Sequence, residues 1–299
     1  MTQQVTTGTQ FPPIQLKITI TSHFKLLFLL GSPLLPFCVQ AEEFTPDRVT
    51  VYKQLGETEL RLHIFNPPEH SQGDARPAIV FFFGGGWSQG SPEQFFPHCD
   101  HFASRGMVAI SAEYRVRNTH GTSPRESVKD AKSAIRWIRR HVADLGIDPD
   151  MLAAGGGSAG GHLAAAAATL EKFNEEGEDQ SVSCIPNALV LFNPVIDNGP
   201  GGYGHDRVKK EWREFSPLHN LVKKTPPTIF FLGTKDRLIP TATAERYQAL
   251  MVENGLQCEL HLYEGQTHGF FNYERNPTHF WKTVKEADRF LTELGFLDQ

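Results

Sequence analysis

Ser158 stands in Gly156-Gly157-Ser158-Ala159-Gly160, a G-x-S-x-G pattern between an apolar run, Met151 to Ala154, and an alanine-rich stretch, His162 to Leu170. The pattern fits a sharp strand-to-helix turn that lifts a serine hydroxyl into a cleft. Glycines flank such a serine because neighbouring backbone comes close, and a Cβ there would clash. A serine hydroxyl is a weak nucleophile at neutral pH. It needs an imidazole to take its proton and a carboxylate to orient that imidazole. Asp236, in Gly233-Thr234-Lys235-Asp236-Arg237, and His268, in Thr267-His268-Gly269-Phe270, each follow a strand-like run. Gly84-Gly85-Gly86-Trp87 follows another. Glycines there leave backbone N–H groups free to face a developing oxyanion.

Each residue also has a plainer reading. Three fixed positions match by chance on the order of 0.1 times in a chain of this length. Asp236 alone reads as a turn carboxylate or helix cap. His268 is one of 13 histidines, so alone it is weak evidence. Gly84 to Gly86 alone is a tight turn. His162, in the first turn after the serine, reads as a core or hydrogen-bonding histidine. The glycine-rich stretch Asn198 to Gly204 reads as a surface loop that could shape an entrance. Gly155, Gly157 and Gly160 also spell G-x-G-x-x-G, with Glu175 and Glu176 some twenty residues on, as in a dinucleotide-binding turn. That turn belongs early in a fold, whereas about four strands precede it here, and it gives no role to Asp236, His268 or the Gly84 loop. The joint order favours acyl transfer.

The elements that must position these residues follow from the apolar pattern. Arg48 to Lys53 and Glu59 to Phe65 read as strands. The second alternates Leu60, Leu62 and Ile64 with polar residues, so one face is solvated. Asn66 to Pro77 is a polar turn. Ala78 to Phe83 and Met107 to Ala112 read as strands buried on both faces. Ser123-Pro124 opens a helix stopped by Gly146, with Val128, Ala131, Ile135, Ile138 and Val142 on one face. Further strands are Met151 to Ala154, Ala188 to Phe192, Thr228 to Leu232 and Glu259 to Tyr263. Helices are expected over Thr241 to Asn254 and Pro277 to Leu294. Buried strands alternating with helices imply an α/β fold, a mostly parallel doubly wound sheet with helices on both faces. Functional groups in such sheets gather at the carboxyl ends of strands.

Composition narrows the classes. A chain of 299 residues with net charge −5 and no basic stripe argues against nucleic-acid binding. The apolar stretch Leu26 to Val39 follows Lys17, His23 and Lys25, is interrupted by Gly31, Pro33 and Pro36, and ends Val39-Gln40-Ala41. It is too short and broken to span a bilayer. It reads as a secretory signal over 1–41, cleaved after Ala41, which puts the protein in the secreted or periplasmic space and leaves one domain over 42–299. Leu35-Pro36-Phe37-Cys38 is only a loose lipoprotein box. Cys99, Cys184 and Cys258 are an odd, widely spaced set that reads as buried thiols, and Cys99-Asp100-His101 is too sparse for a metal. Neither metal nor organic cofactor is called for. Oligomeric state is not legible.

Two stretches carry a family resemblance. Gly-Gly-Ser-Ala-Gly-Gly-His-Leu-Ala over 156–164, with Gly84-Gly85-Gly86-Trp87 and the order Ser158, Asp236, His268, resembles the α/β-hydrolases of the hormone-sensitive-lipase-like kind. It resembles still more the bacterial acetyl or feruloyl esterases of plant and algal polysaccharides. The likeness runs from about Val49 to Leu294. It implies Ser158 as nucleophile, His268 as base and Asp236 as its orienter, with the N–H groups of Gly84, Gly85 and Ala159 as oxyanion hole. It implies removal of small acyl groups, chiefly acetyl, from carbohydrate or other small-molecule esters. A serine peptidase and a non-catalytic binding protein on this fold are the alternatives. The family loop usually reads His-Gly-Gly-Gly, and Phe83 stands in the histidine's place. Few residues separate the signal from the first strand, so any cap over the site should be small.

Overall fold

The computed structural model describes residues 43–299. The expected signal over 1–41 lies outside the described residues. Within them one sheet of eight strands runs in the order β1-β2-β4-β3-β5-β6-β7-β8. The strands are β1 (Arg48–Leu55), β2 (Thr58–Phe65), β3 (Arg76–Phe82), β4 (Val108–Ala112), β5 (Ile147–Gly157), β6 (Ala188–Phe192), β7 (Thr228–Gly233) and β8 (Cys258–Tyr263). β1 and β2 pair antiparallel, as do β2 and β4. All other pairings are parallel.

Burial explains the layering. Every residue of β4, β6 and β7 is buried, so both faces of the sheet are covered. The covering helices include Phe96–Ser104, Pro124–Arg140, Ala159–Thr169, Thr241–Glu253 and Pro277–Glu293. The alanines of Ala159–Thr169 let that helix lie close on the sheet, and all eleven of its residues are buried. β1 keeps Val49 and Val51 exposed, in line with its place at an edge.

One expected boundary shifts. The helix begun by Ser123-Pro124 ends at Arg140 rather than at Gly146. A separate turn, Val142–Leu145, then ends on Gly146 at φ +59. The helix start holds as read, with Pro124 in the first turn and the Ser123 N–H donating to Glu126 Oε2 at 2.9 Å. The helix Phe96–Ser104 has no counterpart in the sequence reading, because its proline and aromatic residues hide a helical period. It lays Phe102 against Phe81 and sets His98 among Phe81, Phe95, Phe192, Phe271 and Phe280. Neither nitrogen of that imidazole finds a partner among the described residues, and burial pushes its pKa down to about 3.

A polar cluster joins the sheet's first strand, the Pro124–Arg140 helix and two loop residues, Arg115 and Glu175. Lys53 Nζ donates to Asp130 Oδ1 at 2.7 Å, to Glu175 Oε2 at 2.6 Å and to Ser133 Oγ at 3.0 Å. Arg115 grips Asp130 through two bonds of 2.7 Å and reaches Glu175 at 3.0 Å. The Asp130 carboxylate has no exposed surface. Cys99, Cys184 and Cys258 are free, buried thiols, as their spacing suggests.

Candidate active site

Ser158 sits between β5 and the Ala159–Thr169 helix with φ +54 and ψ −115. A non-glycine residue in that conformation is strained and must be held by its surroundings. Ser158 N–H donates to Phe192 O at 3.0 Å, and Ser158 O accepts from the N–H groups of His162 and Val195 at 3.0 Å each. A Cβ at Gly160 would strike the Phe82 carbonyl, and one at Gly157 would strike the Phe271 ring. At Gly160 the obstacle is backbone, so only glycine fits, whereas at Gly157 a Cβ would force the Phe271 ring to shift.

The same contacts dispose of the dinucleotide reading. Phe81 and Phe271 rings fill the space beside Gly155 and Gly157, so no backbone there lies open to a pyrophosphate. Glu175 is bound up with Lys53 and Arg115.

Asp236 and His268 meet directly. Asp236 lies in the turn after β7, and its Oδ2 accepts from His268 Nδ1 at 2.7 Å. Its Oδ1 accepts from the N–H groups of Leu238 and Ile239 at 2.8 and 3.0 Å. The carboxylate is fully buried and the imidazole is 24% exposed. The bond fixes the tautomer with hydrogen on Nδ1, leaving Nε2 as the nitrogen for proton transfer. The histidine loop is pinned on both sides. Arg275 donates to His268 O at 2.7 Å, and Gly269 N–H donates to Asn193 Oδ1 at 2.9 Å. Asn193 directly follows Phe192, the residue that accepts from Ser158. It links the serine's surroundings to the histidine loop, and nothing in the sequence marked it.

The glycine loop lies against the serine: a Cβ on Gly84 would stand 3.5 Å from Ser158 Cβ. One expected donor is corrected. Gly84 N–H donates to Gln94 Oε1 at 2.6 Å, so it is already engaged within the protein. The N–H groups of Gly85 and Gly86 have no acceptor among the described residues, and Ala159 heads a helix whose first N–H groups have no intrahelical partner. The N–H groups left free beside Ser158 are therefore those of Gly85, Gly86 and Ala159. Gly85 takes φ +113, open only to glycine. Arg207 bonds the Gly86 carbonyl and holds the loop's far side.

Phe83 is buried and its ring stacks on Tyr114, with centroids 4.1 Å apart. Tyr114 also donates its hydroxyl to Phe83 O at 2.7 Å. The residue in the family histidine's place thus holds the loop by ring contact. His162 is a core histidine, bonded through Nε2 to Phe215 O at 3.0 Å, and burial lowers its pKa to about 4. Asn198, read as surface loop, is buried instead. Its N–H donates to Ser216 Oγ at 3.0 Å, and its segment brings Tyr203 beside Gly86.

Thermogutta terrifontis esterase 2, in a form phosphoramylated by tabun, matches with TM-score 0.83 at 44% identity, covering 86% of this chain and 98% of that chain. This chain belongs to the α/β-hydrolase esterases. A family model described as BD-FAE matches residues 62–198 of this esterase-family chain, and the dienelactone hydrolase family model matches residues 202–293. The propionate-bound form of the Thermogutta enzyme gives TM-score 0.81 at 43% identity over 86% of this chain and 98% of that one. A probable isoprenylcysteine alpha-carbonyl methylesterase of Arabidopsis thaliana is 28% identical over 249 residues, 74% of this chain and 50% of that protein. Esterase LipQ of Mycobacterium tuberculosis is 26% identical over 228 residues, 67% of this chain and 51% of that protein. The α/β-hydrolase chain thus spans about half the length of these curated relatives.

Proposed function

We propose that the chain is a serine carboxylesterase in which Ser158, His268 and Asp236 carry the reaction. Ser158 Oγ attacks the ester carbonyl and its proton passes to His268 Nε2. The imidazolium, steadied by Asp236, returns the proton to the leaving alcohol oxygen, and an acyl-serine remains. Water repeats the sequence and frees the acid. The N–H groups of Gly85, Gly86 and Ala159 receive the negative charge that develops on the carbonyl oxygen. The observation that carries this reading is the strained Ser158 backbone at φ +54 on a turn seated against the glycine loop.

For the substrate we propose a short acyl group, chiefly acetyl, on a carbohydrate or similar alcohol. The propionate-bound and butyrate-bound forms of the Thermogutta enzyme support the short acyl chain. We also propose export of the chain by the segment ending at Ala41, with a mature start at Glu42 that N-terminal sequencing from the native host would read.

The test is a panel of p-nitrophenyl esters and acetylated glycans with the parent and Ser158→Ala. Ser158→Ala should lower kcat by a factor on the order of 10⁶. Turnover retained in the purified variant would remove the assignment of the nucleophile. Acyl preference peaking at long chains would remove the substrate class.

A further inference from the structure

The Gly84 loop and the His268 loop are joined by a single directed chain of hydrogen bonds. Gly84 N–H donates to Gln94 Oε1 at 2.6 Å. Gln94 Nε2 donates to Asn272 Oδ1 at 2.7 Å. Asn272 Nδ2 donates to Gly269 O at 2.8 Å, on the residue after His268. The ends fix the direction. An N–H can only donate and a carbonyl can only accept, so both amides have one orientation that satisfies every bond.

Gln94 is well placed to transmit position. It lies in the 3-10 turn Pro92–Phe95, whose Phe95 is fully buried and stacks on Phe81 at 4.9 Å. The same turn is tied to β4, where Ser111 Oγ donates to Pro92 O at 2.8 Å. The Phe83 ring can hold the glycine loop by contact but offers it no hydrogen bond. Gln94 is therefore the group that engages a loop N–H beside Ser158. Its partner Asn272 is 178 residues away in the chain, so the bridge spans two loops that only the fold brings together.

We propose that Gln94 is a positioning residue that sets the spacing of the Gly85–Gly86 donors relative to His268. The proposal rests on the Ser158 reading above. With Gln94 in place, Gly84 N–H is fixed and the next two N–H groups are turned toward the reacting carbonyl. Without it, Gly84 N–H is a competing, unsatisfied donor and the peptide planes after it can rotate. The oxyanion exists only in the transition state, so the loss falls on kcat and spares KM.

The experiment compares Gln94→Met, Gln94→Glu, Asn272→Ala and the Gln94→Met/Asn272→Ala double variant on a short p-nitrophenyl ester. Losing one direct oxyanion donor costs about 10²–10³ in kcat, so an indirect disturbance should cost about 10- to 100-fold. KM should stay within about threefold. The double variant should be no slower than the slower single one, because both substitutions cut one chain. Gln94→Glu keeps the acceptor for Gly84 but donates to Asn272 only when protonated. Its kcat relative to the parent should therefore climb as pH falls, a response that mere loss of stability does not give. Gln94→Met with full kcat, single losses that multiply in the double variant, or a pH-independent Gln94→Glu ratio would each overturn the bridge. Ser158→Ala assayed alongside separates the two readings. An inactive Ser158→Ala beside a normal Gln94→Met removes only the bridge, and an active Ser158→Ala removes both.

Discussion

Asp236 Oδ2 accepts from His268 Nδ1 at 2.7 Å while its other oxygen is held by two backbone N–H groups. A carboxylate fixed at both oxygens cannot turn away, so the imidazole is locked in one tautomer. Asp236→Asn keeps the shape but can present an N–H to the ring and favour the wrong tautomer. We expect kcat to fall by about 10⁴ with KM little changed, as for the equivalent change in a serine protease. Steady-state kinetics on a p-nitrophenyl ester checks this. A loss below tenfold would mean the pair does not work as described.

Acid should weaken the fold through two buried histidines. Desolvation lowers the pKa of His98 to about 3 and that of His162 to about 4. Unfolded histidine titrates near 6.5, so the unfolded chain binds more protons as pH falls. The stability from these groups is complete above about pH 6.5 and is lost as pH falls toward 4 and then 3, by up to ~1.4 kcal/mol per pH unit for each. His98→Leu should flatten this dependence, because His98 gives up no hydrogen bond. Urea unfolding at pH 7, 5.5 and 4.5 reads it, and an unchanged slope in the variant would count against His98 as a source.

Phe83 should behave as a core residue beside the glycine loop. Phe83→Ala removes the ring stacked on Tyr114 and should cost ~3–5 kcal/mol. Phe83→His, the residue usual in the family, should cost about 1–3 kcal/mol because the imidazole finds no partner in a site shaped for Phe. Thermal unfolding and ester kinetics of both variants decide. Parent-like stability and activity of Phe83→His would show that the loop tolerates either support.

Asp130 is the fully buried anion between Lys53 and Arg115, so removing it leaves both cations with Glu175 as their remaining carboxylate. Asp130→Ala should destabilise by about 3–5 kcal/mol. Chemical denaturation measures this, and a change under 1 kcal/mol would mean that Glu175 alone satisfies the two cations.

Much of this was legible because strong local signals carried it. The all-apolar runs of β3, β4, β6 and β7 can be satisfied only by a covered sheet, and G-x-S-x-G is dictated by contacts that exclude any Cβ. The engagement of the Gly84 N–H was hidden, because a Gly-Gly-Gly run does not reveal which N–H a distant glutamine will take. Gln94, Asn193 and the Lys53–Asp130–Glu175 cluster were invisible for the same reason. Their partners lie far away in the chain, and each residue alone looks like an ordinary solvated side chain. Asn198 was misread because glycine-rich composition suggests a loop but says nothing about what covers it.

The sheet's strand order sets where the machine is weakest. Ser158 hangs from β5 in the middle of the sheet, whereas His268 follows β8, an edge strand that among the described residues pairs with β7 alone and leaves Leu262 42% exposed. Edge elements open at lower free energy than the centre. On warming, His268 can fray away while the half that carries Ser158 stays folded, so ester turnover should be lost at a temperature below that at which the whole sheet melts.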